Sequence, residues 1–241
     1  PGDKLVIQYY GNENVSVDQF ITRSGELNLP LLGPVTLAGL TFSEARDLVE
    51  NKISSQLIGT NVALTLSELR SITVYVLGEA YSPGSYTVSA LSSLTNVLFV
   101  SGGVGERGSV RNIQVKRSGQ TEQVFDLYQL LLKGDTKSDI RLQDGDVIFI
   151  PLINKTARAE GFFRRPHLYE IKEEDTVEDL IFYAGGYTQN VTKNARLELS
   201  SINGETKKRD LDAFFANESE KLSKELNDGD SIKVFEYSSL E

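Results

Sequence analysis

Acidic side chains come in close sets along this chain: Asp144 with Asp146, Asp228 with Asp230, and the run Glu173-Glu174-Asp175. Two carboxylates facing one glycosidic bond can hydrolyse it, one as acid and the other as base or nucleophile. The first two sets flank Gly145 and Gly229, a turn setting where aspartate serves by bonding its own backbone. The third set precedes an apolar run of helical spacing. Negative charge is favoured there, and Asp175 is the expected N-cap. These acids are read as turn and cap residues, and no catalytic residue is assigned. The turns also lack the ligand spacing of an EF-hand.

The remaining reactive types point the same way. His167 is the only histidine. A nucleophilic triad needs its histidine oriented by an acid, and a zinc site wants several nitrogen or sulfur ligands. His167 follows Pro166 and is expected to be exposed. The chain has no cysteine, which excludes disulfides, thiol catalysis and cysteine-ligated metals. Gly103-Val104-Gly105-Glu106-Arg107-Gly108 satisfies G-x-G-x-x-G, but a dinucleotide site needs a strand before it and a helix after it. Here a helical stretch precedes it and a hairpin follows. A loop is expected, with no cofactor and no metal.

Arg158, Arg164, Arg165 and Lys207-Lys208-Arg209 are basic spots on a chain of net charge −9. They suit an acidic polysaccharide or a partner chain, although Glu173 and Glu174 offer ordinary charge balance. Aromatic faces can stack on sugar rings. Tyr86 and Tyr169 recur at the same place in a repeated unit and are expected in the core. Tyr81, Phe162 and Phe163 do not recur. The candidate sugar or partner contacts are therefore Tyr81, Phe162, Phe163, Arg164 and Arg165.

The acidic balance argues against nucleic acid, whose phosphates call for a positive field, and against docking on an anionic bilayer. No apolar run approaches the roughly 18 residues of a membrane helix. The 241 residues suffice for two or three domains. The chain has no methionine and opens on Pro1-Gly2-Asp3, so a piece of a longer protein is expected.

Three units are expected to hold these residues. In the first, residues 3–10 alternate as a strand, and residues 20–33 read as strand, turn and strand about Ser24-Gly25. Residues 41–57 read as a helix: Thr41 and Glu44 form a capping box, and Ala45, Leu48, Val49, Ile53 and Leu57 share one face. A strand over 61–69 follows. The second unit has a strand at 71–80, a return through Ser82-Pro83-Gly84, and a short helix with Leu94, Val97 and Leu98 buried. Gly102-Gly103 end that helix. A hairpin about Ser118-Gly119, a helical turn or two from Tyr128, and a strand to residue 151 complete it.

The third unit rewrites the second. Gly78, Pro83, Tyr86 and Gly102-Gly103 return as Gly161, Pro166, Tyr169 and Gly185-Gly186, each 83 residues later. Asp126-Leu127 and Gly145-Asp146 return as Asp210-Leu211 and Gly229-Asp230, 84 residues later. One inserted residue is implied, most simply in the hairpin turn, which returns at Asn203-Gly204. The shared letters are those that set the backbone, so the surface is expected to have diverged freely. The order implies an α+β fold, a small sheet packed on one helix in each copy.

Pro1-Gly2-Asp3 with its strand, the run from Thr22 to Val49, and Val76-Leu77-Gly78-Glu79 leading to Pro83-Gly84 resemble the polysaccharide biosynthesis/export family, the Wza-like outer-membrane exporters. The residues carrying the resemblance are Pro1, Gly2, Asp3, Gly25, Pro30, Gly33, Gly39, Gly78, Pro83, Gly84, Gly102, Gly103, Gly145 and Asp146. Ser24 stands where the family usually has Asp, and Ala80 where it usually has Val. The repeated units are similar to soluble-ligand-binding β-grasp (SLBB) domains. The resemblance implies an export domain over 1–70 and SLBB repeats over 71–153 and 154–241. It implies a non-enzymatic protein of the periplasm, associated with the outer membrane. Such a protein forms a homo-oligomeric ring around polysaccharide in transit and works with an inner-membrane polysaccharide copolymerase. Membrane attachment is expected through parts outside this stretch. The runner-up is a monomeric or dimeric sugar-binding or regulatory SLBB module, and a polysaccharide-degrading enzyme comes third.

Overall fold

A computed structural model describes residues 1–10, 14–30, 32–57, 61–189, 191, 195–201, 206–210 and 225–236. The chain forms two compact units. One comprises Pro1–Val74, Ser85–Ser93 and Arg141–Asp146; the other comprises Tyr75–Gly84, Leu94–Ile140 and Val147–Glu241.

The first elements are β1 (Lys4–Tyr10), β2 (Val15–Phe20), β3 (Glu26–Leu29), β4 (Gly33–Thr36), α1 (Phe42–Gln56) and β5 (Asn61–Glu68). They build an antiparallel sheet of order β2-β1-β5 and a separate β3-β4 hairpin. Leu5 and Ile7 of β1 face one side and are buried with Leu27, Leu29, Val35 and Leu64, as a period of two requires. α1 closes this core with Ala45, Val49 and Ile53. Its capping box is present: the Thr41 amide donates to Glu44 Oε2 at 2.8 Å, and the Glu44 amide donates to Thr41 Oγ1 at 3.4 Å. Leu48, expected on the buried face, is 41% exposed; the apolar stripe is narrower than the pattern implied. The Ser24-Gly25 turn also differs from a hairpin turn. It separates β2 from β3, which belong to different sheets.

The signature at the chain's start is tied to a distant residue. The Arg70 amide donates to Asp3 Oδ1 at 2.9 Å, and the Gly2 amide donates to Ile21 O at 2.8 Å. The residues that follow β2 and β5 thus meet at Pro1-Gly2-Asp3.

The following elements are β6 (Ser71–Gly78), β7 (Gly84–Ser89), α2 (Leu94–Val100), β8 (Ile113–Arg117), β9 (Gln120–Phe125), α3 (Leu127–Lys133) and β10 (Val147–Ile150). Next come β11 (Thr156–Gly161), β12 (His167–Glu170), α4 (Val177–Tyr183), β13 (Ala195–Ser200), β14 (Thr206–Asp210) and β15 (Ser231–Glu236). Their sheets have the orders β7-β6-β10-β8-β9 and β12-β11-β15-β13-β14. Numbered within each copy, both read 2-1-5-3-4. The first and last strands, β6 with β10 and β11 with β15, pair in parallel. Each sheet thus has a β-grasp arrangement with one short helix after its second strand.

The register of the two copies agrees hydrogen bond by hydrogen bond. Thr73 and Thr156 amides donate to Asp144 Oδ1 and Asp228 Oδ1, both at 2.8 Å. Leu142 and Leu226 amides donate to Ser92 O and Asp175 O, at 3.0 and 2.9 Å. The bridge Ala80↔Val104 returns as Phe163↔Tyr187. Lys116 pairs with Val147 and Ser200 with Ser231, so the offset is already 84 at β8 and β13. The inserted residue therefore lies between Tyr187 and Glu198, before the hairpin. Its expected place, the Asn203-Gly204 turn, lies outside the described residues.

One cap differs from expectation. Thr176, not Asp175, caps α4, accepting from the Asp179 amide at 3.3 Å while Asp179 Oδ2 accepts from the Thr176 amide at 2.9 Å. Asp175 is 4% exposed and has other work.

Candidate functional site

One acid of each pair is buried in its own turn, while Asp144 and Asp228 accept from the Thr73 and Thr156 amides. Asp146 Oδ2 accepts from the Gln143 amide at 2.8 Å and Asp230 Oδ2 from the Asn227 amide at 3.0 Å. Their exposures are 0% and 1%. Buried carboxylates committed to backbone amides do not face a substrate. Glu173 pairs with Lys155 Nζ at 2.5 Å and caps nothing, contrary to the expectation for that run. Among the described residues, no three His, Cys, Asp or Glu side chains gather in a way that could hold a metal ion.

His167 is exposed at the start of β12, and the Tyr169 ring lies edge-on at 6.3 Å. The G-x-G-x-x-G run joins α2 to β8 as a loop, opposite to a dinucleotide turn. A β-carbon at Gly105 or Gly108 would approach Glu79 O to 2.9 or 2.5 Å. These glycines answer to packing against the end of β6.

The five candidate contacts separate. Tyr81 is 72% exposed, with its ring lying over Gly102. Phe162 is half-buried against the core of the second copy. Phe163 must be corrected: it is 2% exposed and stacks on Tyr187 with centroids 5.4 Å apart, so it is a core residue. Arg164 Nε donates to Tyr187 O at 3.1 Å, and an Arg165 Nη donates to Tyr183 O at 3.0 Å. Arg165 thus holds the last residue of α4, and Arg164 the loop after it. Arg158 pairs with Glu160 at 3.6 Å. The side chains of Lys207, Lys208 and Arg209 lie outside the described residues. Tyr169 is buried as expected, its hydroxyl donating to Arg165 O at 2.6 Å, while Tyr86 is half-buried.

Among the described residues, one densely bonded polar cluster has no counterpart in the sequence-based expectations. It lies where the first copy's loop before β8 and its α3 meet the second copy's β12 and α4. Arg111 is 3% exposed. Its Nε donates to Asp126 Oδ2 at 3.2 Å, one Nη donates to Glu170 O at 3.3 Å, and the same group pairs with the Asp175 carboxylate. The rings of Tyr128 and Tyr183 each lie with their centroids 5.0 Å from the guanidinium carbon. Arg suits this place because a planar, permanently charged fork can serve several acceptors while stacked on aromatics. In return, Glu170 enters the first copy. Its carboxylate accepts from Ser109 Oγ at 2.5 Å, the Val110 amide at 2.7 Å and the Arg111 amide at 3.0 Å. Lys172 Nζ reaches Asp126 Oδ2 at 2.8 Å, and the Tyr183 hydroxyl donates to Asp175 Oδ1 at 3.0 Å. Burial pushes the Tyr128 hydroxyl up to about 12 and also raises that of Tyr183.

Glu170, Lys172, Asp175 and Tyr183 stand where the first copy has Thr87, Ser89, Ser92 and Val100. The expectation that divergent positions are free surface fails here, because these departures carry the contact between copies. Beside the cluster opens a groove of about 270 Å³ with both polar and apolar walls, lined in part by Asn112, Asn154, Lys155, Lys172, Glu173 and Glu174. Val124 and Ile171 supply apolar surface to the same groove.

Residues 1–67 match the family described as polysaccharide biosynthesis/export protein, and residues 73–150 match the SLBB domain. The polysialic acid transport protein KpsD of Escherichia coli is 31% identical over 175 residues, covering 72% of this chain and 31% of that protein. The EPS I polysaccharide export outer membrane protein EpsA of Ralstonia solanacearum is 26% identical over 145 residues, covering 59% of this chain and 38% of that protein. The chain thus spans about a third of the length of the curated relatives it matches.

Proposed function

Since the chain belongs to the polysaccharide biosynthesis/export family, we propose that it is the periplasmic portion of an outer-membrane protein exporting capsule or exopolysaccharide. Residues 1–70 are the export domain, 71–153 one SLBB repeat and 154–241 a second. The observation that carries this reading is the shared 2-1-5-3-4 sheet order of the two copies, joined to the export and SLBB matches that precede it. Small β-grasp units bury little apolar surface alone, and stacking them adds interface. In the full-length protein, several copies stand side by side as a ring, and the stacked units extend its wall. The polymer passes through, received from an inner-membrane copolymerase.

No catalytic step is part of this role. A polymer in transit must not be held tightly, so this role calls for a polar, weakly binding wall. The test is surface polysaccharide in cells whose full-length protein lacks residues 154–241. Export should fall to the level of the null strain while the truncated protein persists in the envelope. Undiminished surface polymer would sink the role given to the second repeat.

A monomeric or dimeric sugar-binding module is the second reading, favoured by the groove with its polar and apolar walls and by the exposed Tyr81 ring. A saturable sugar titration that disappears on Asn154→Ala would support it.

A further inference from the structure

We infer that the Arg111 cluster is a one-way lock between the two repeats, fixing which face of one docks on which face of the other and holding them as a single body. The inference rests on the geometry of the joint alone, so it stands or falls separately from the export reading.

The exchange across the joint is reciprocal but not symmetric. The first repeat gives a cation, Arg111, to Asp175 and Glu170 O of the second. The second gives an anion, Glu170, to three donors in Ser109–Arg111 of the first. Lys172 of the second meets Asp126 of the first at 2.8 Å, and Tyr128 of α3 packs edge-on against Tyr183 of α4 with centroids 5.0 Å apart. Each repeat therefore presents a different face.

The register defined by the shared hydrogen bonds shows that neither face is duplicated. On the first repeat, the positions of Glu170, Lys172, Asp175 and Tyr183 hold Thr87, Ser89, Ser92 and Val100, which include no carboxylate. In the second repeat, the position of Arg111 falls at Asn194 or Ala195, neither of them a cation. Among the described residues, the acceptors that Arg111 finds on the second repeat are the Asp175 carboxylate and the Glu170 carbonyl.

Physical chemistry makes such a joint selective more than adhesive. Burying ions costs desolvation that their mutual attraction roughly repays, whereas a buried charge left without its partner is strongly penalised. Any other docking of the same two sheets would leave Arg111 with Asp126 of its own repeat as partner, without the Asp175 carboxylate and the Glu170 carbonyl, and would take Glu170 from its three donors. Correct docking satisfies both groups, and incorrect docking is rejected.

The experiment uses the 241-residue chain with Arg111→Met and, from the other side, Asp175→Asn. Residual dipolar couplings report the orientation of each sheet, and amide exchange reports whether each is folded. The wild type should fit one alignment tensor across both repeats. Both variants should keep protected amides in β6, β8, β11 and β15 while the repeats require two separate tensors. Exchange at Val110 and Arg111 should rise by a factor of about 100 or more. One common tensor and unchanged exchange in both variants would overturn the lock. So would loss of both sheets together, since the cluster would then be the core of one domain.

Discussion

Gly78 and Gly161 hold one backbone position written twice. Both sit at φ +81°, and a β-carbon on either would run into the carbonyl oxygen of the strand paired in parallel beside it, Ile150 or Val234. Left-handed backbone costs an L-residue about 1–2 kcal/mol, and the steric conflict adds to it. Gly78→Ala and Gly161→Ala should each lower stability by about 2 kcal/mol or more, read from urea unfolding midpoints. A loss below about 0.5 kcal/mol at either site would show that the two copies do not share the constraint.

Phe163 and Tyr81 should respond in opposite ways. Phe163 is buried in the second repeat, so Phe163→Ala should cost about 3–5 kcal/mol. Tyr81 is 72% exposed, and Tyr81→Ala should fall within about 0.5 kcal/mol. Denaturant titration of both variants checks the pair, and comparable losses would contradict their assignment to core and surface.

Asp146 should matter to the fold and not to chemistry. Asp146→Ala strands the Gln143 amide and should cost about 1–3 kcal/mol. Capsular polymer incubated with the wild type or with Asp146→Asn should release reducing ends at the rate of buffer alone. Turnover by the wild type that disappears in Asp146→Asn would restore the hydrolase.

The joint should fail in alkali. Tyr128 and Tyr183 titrate near 10 in an unfolded chain, while burial holds Tyr128 up to about 12 and raises Tyr183 in the fold. Above pH 10 the unfolded state binds fewer protons than the native one, so stability falls as pH rises. Below pH 10 this contribution is fully present. From pH 10 to 12 the loss due to Tyr128 is on the order of 1–2 kcal/mol. Tyr128→Phe should flatten the slope of unfolding free energy against pH across that window, and an unchanged slope would exclude this origin.

The sequence made the architecture legible where the backbone is constrained. Glycines at the ends of β6 and β11, the Thr41-Glu44 box and the Leu94-Val97-Leu98 edge all follow from local sterics and periodicity, and they stand where those rules put them. The joint was illegible for the opposite reason. Arg111 and Asp175 are 64 positions apart, and a charged residue beside a turn reads as surface until tertiary packing buries it. Asp175 looked like a helix cap because Thr176, one position later, offers a competing hydroxyl and won. Phe163 looked like a contact because a missing counterpart in the first repeat suggested a surface role. In fact its ring fills space against Tyr187. Departures from the repeat were the available signal, since Glu170, Lys172, Asp175 and Tyr183 all change type between copies.

The most direct test of the export assignment is the mass of the full-length mature protein, extracted in mild detergent and measured by light scattering. The account predicts one discrete species well above a dimer. A particle that remains monomeric over a wide concentration range would contradict a self-assembled export ring.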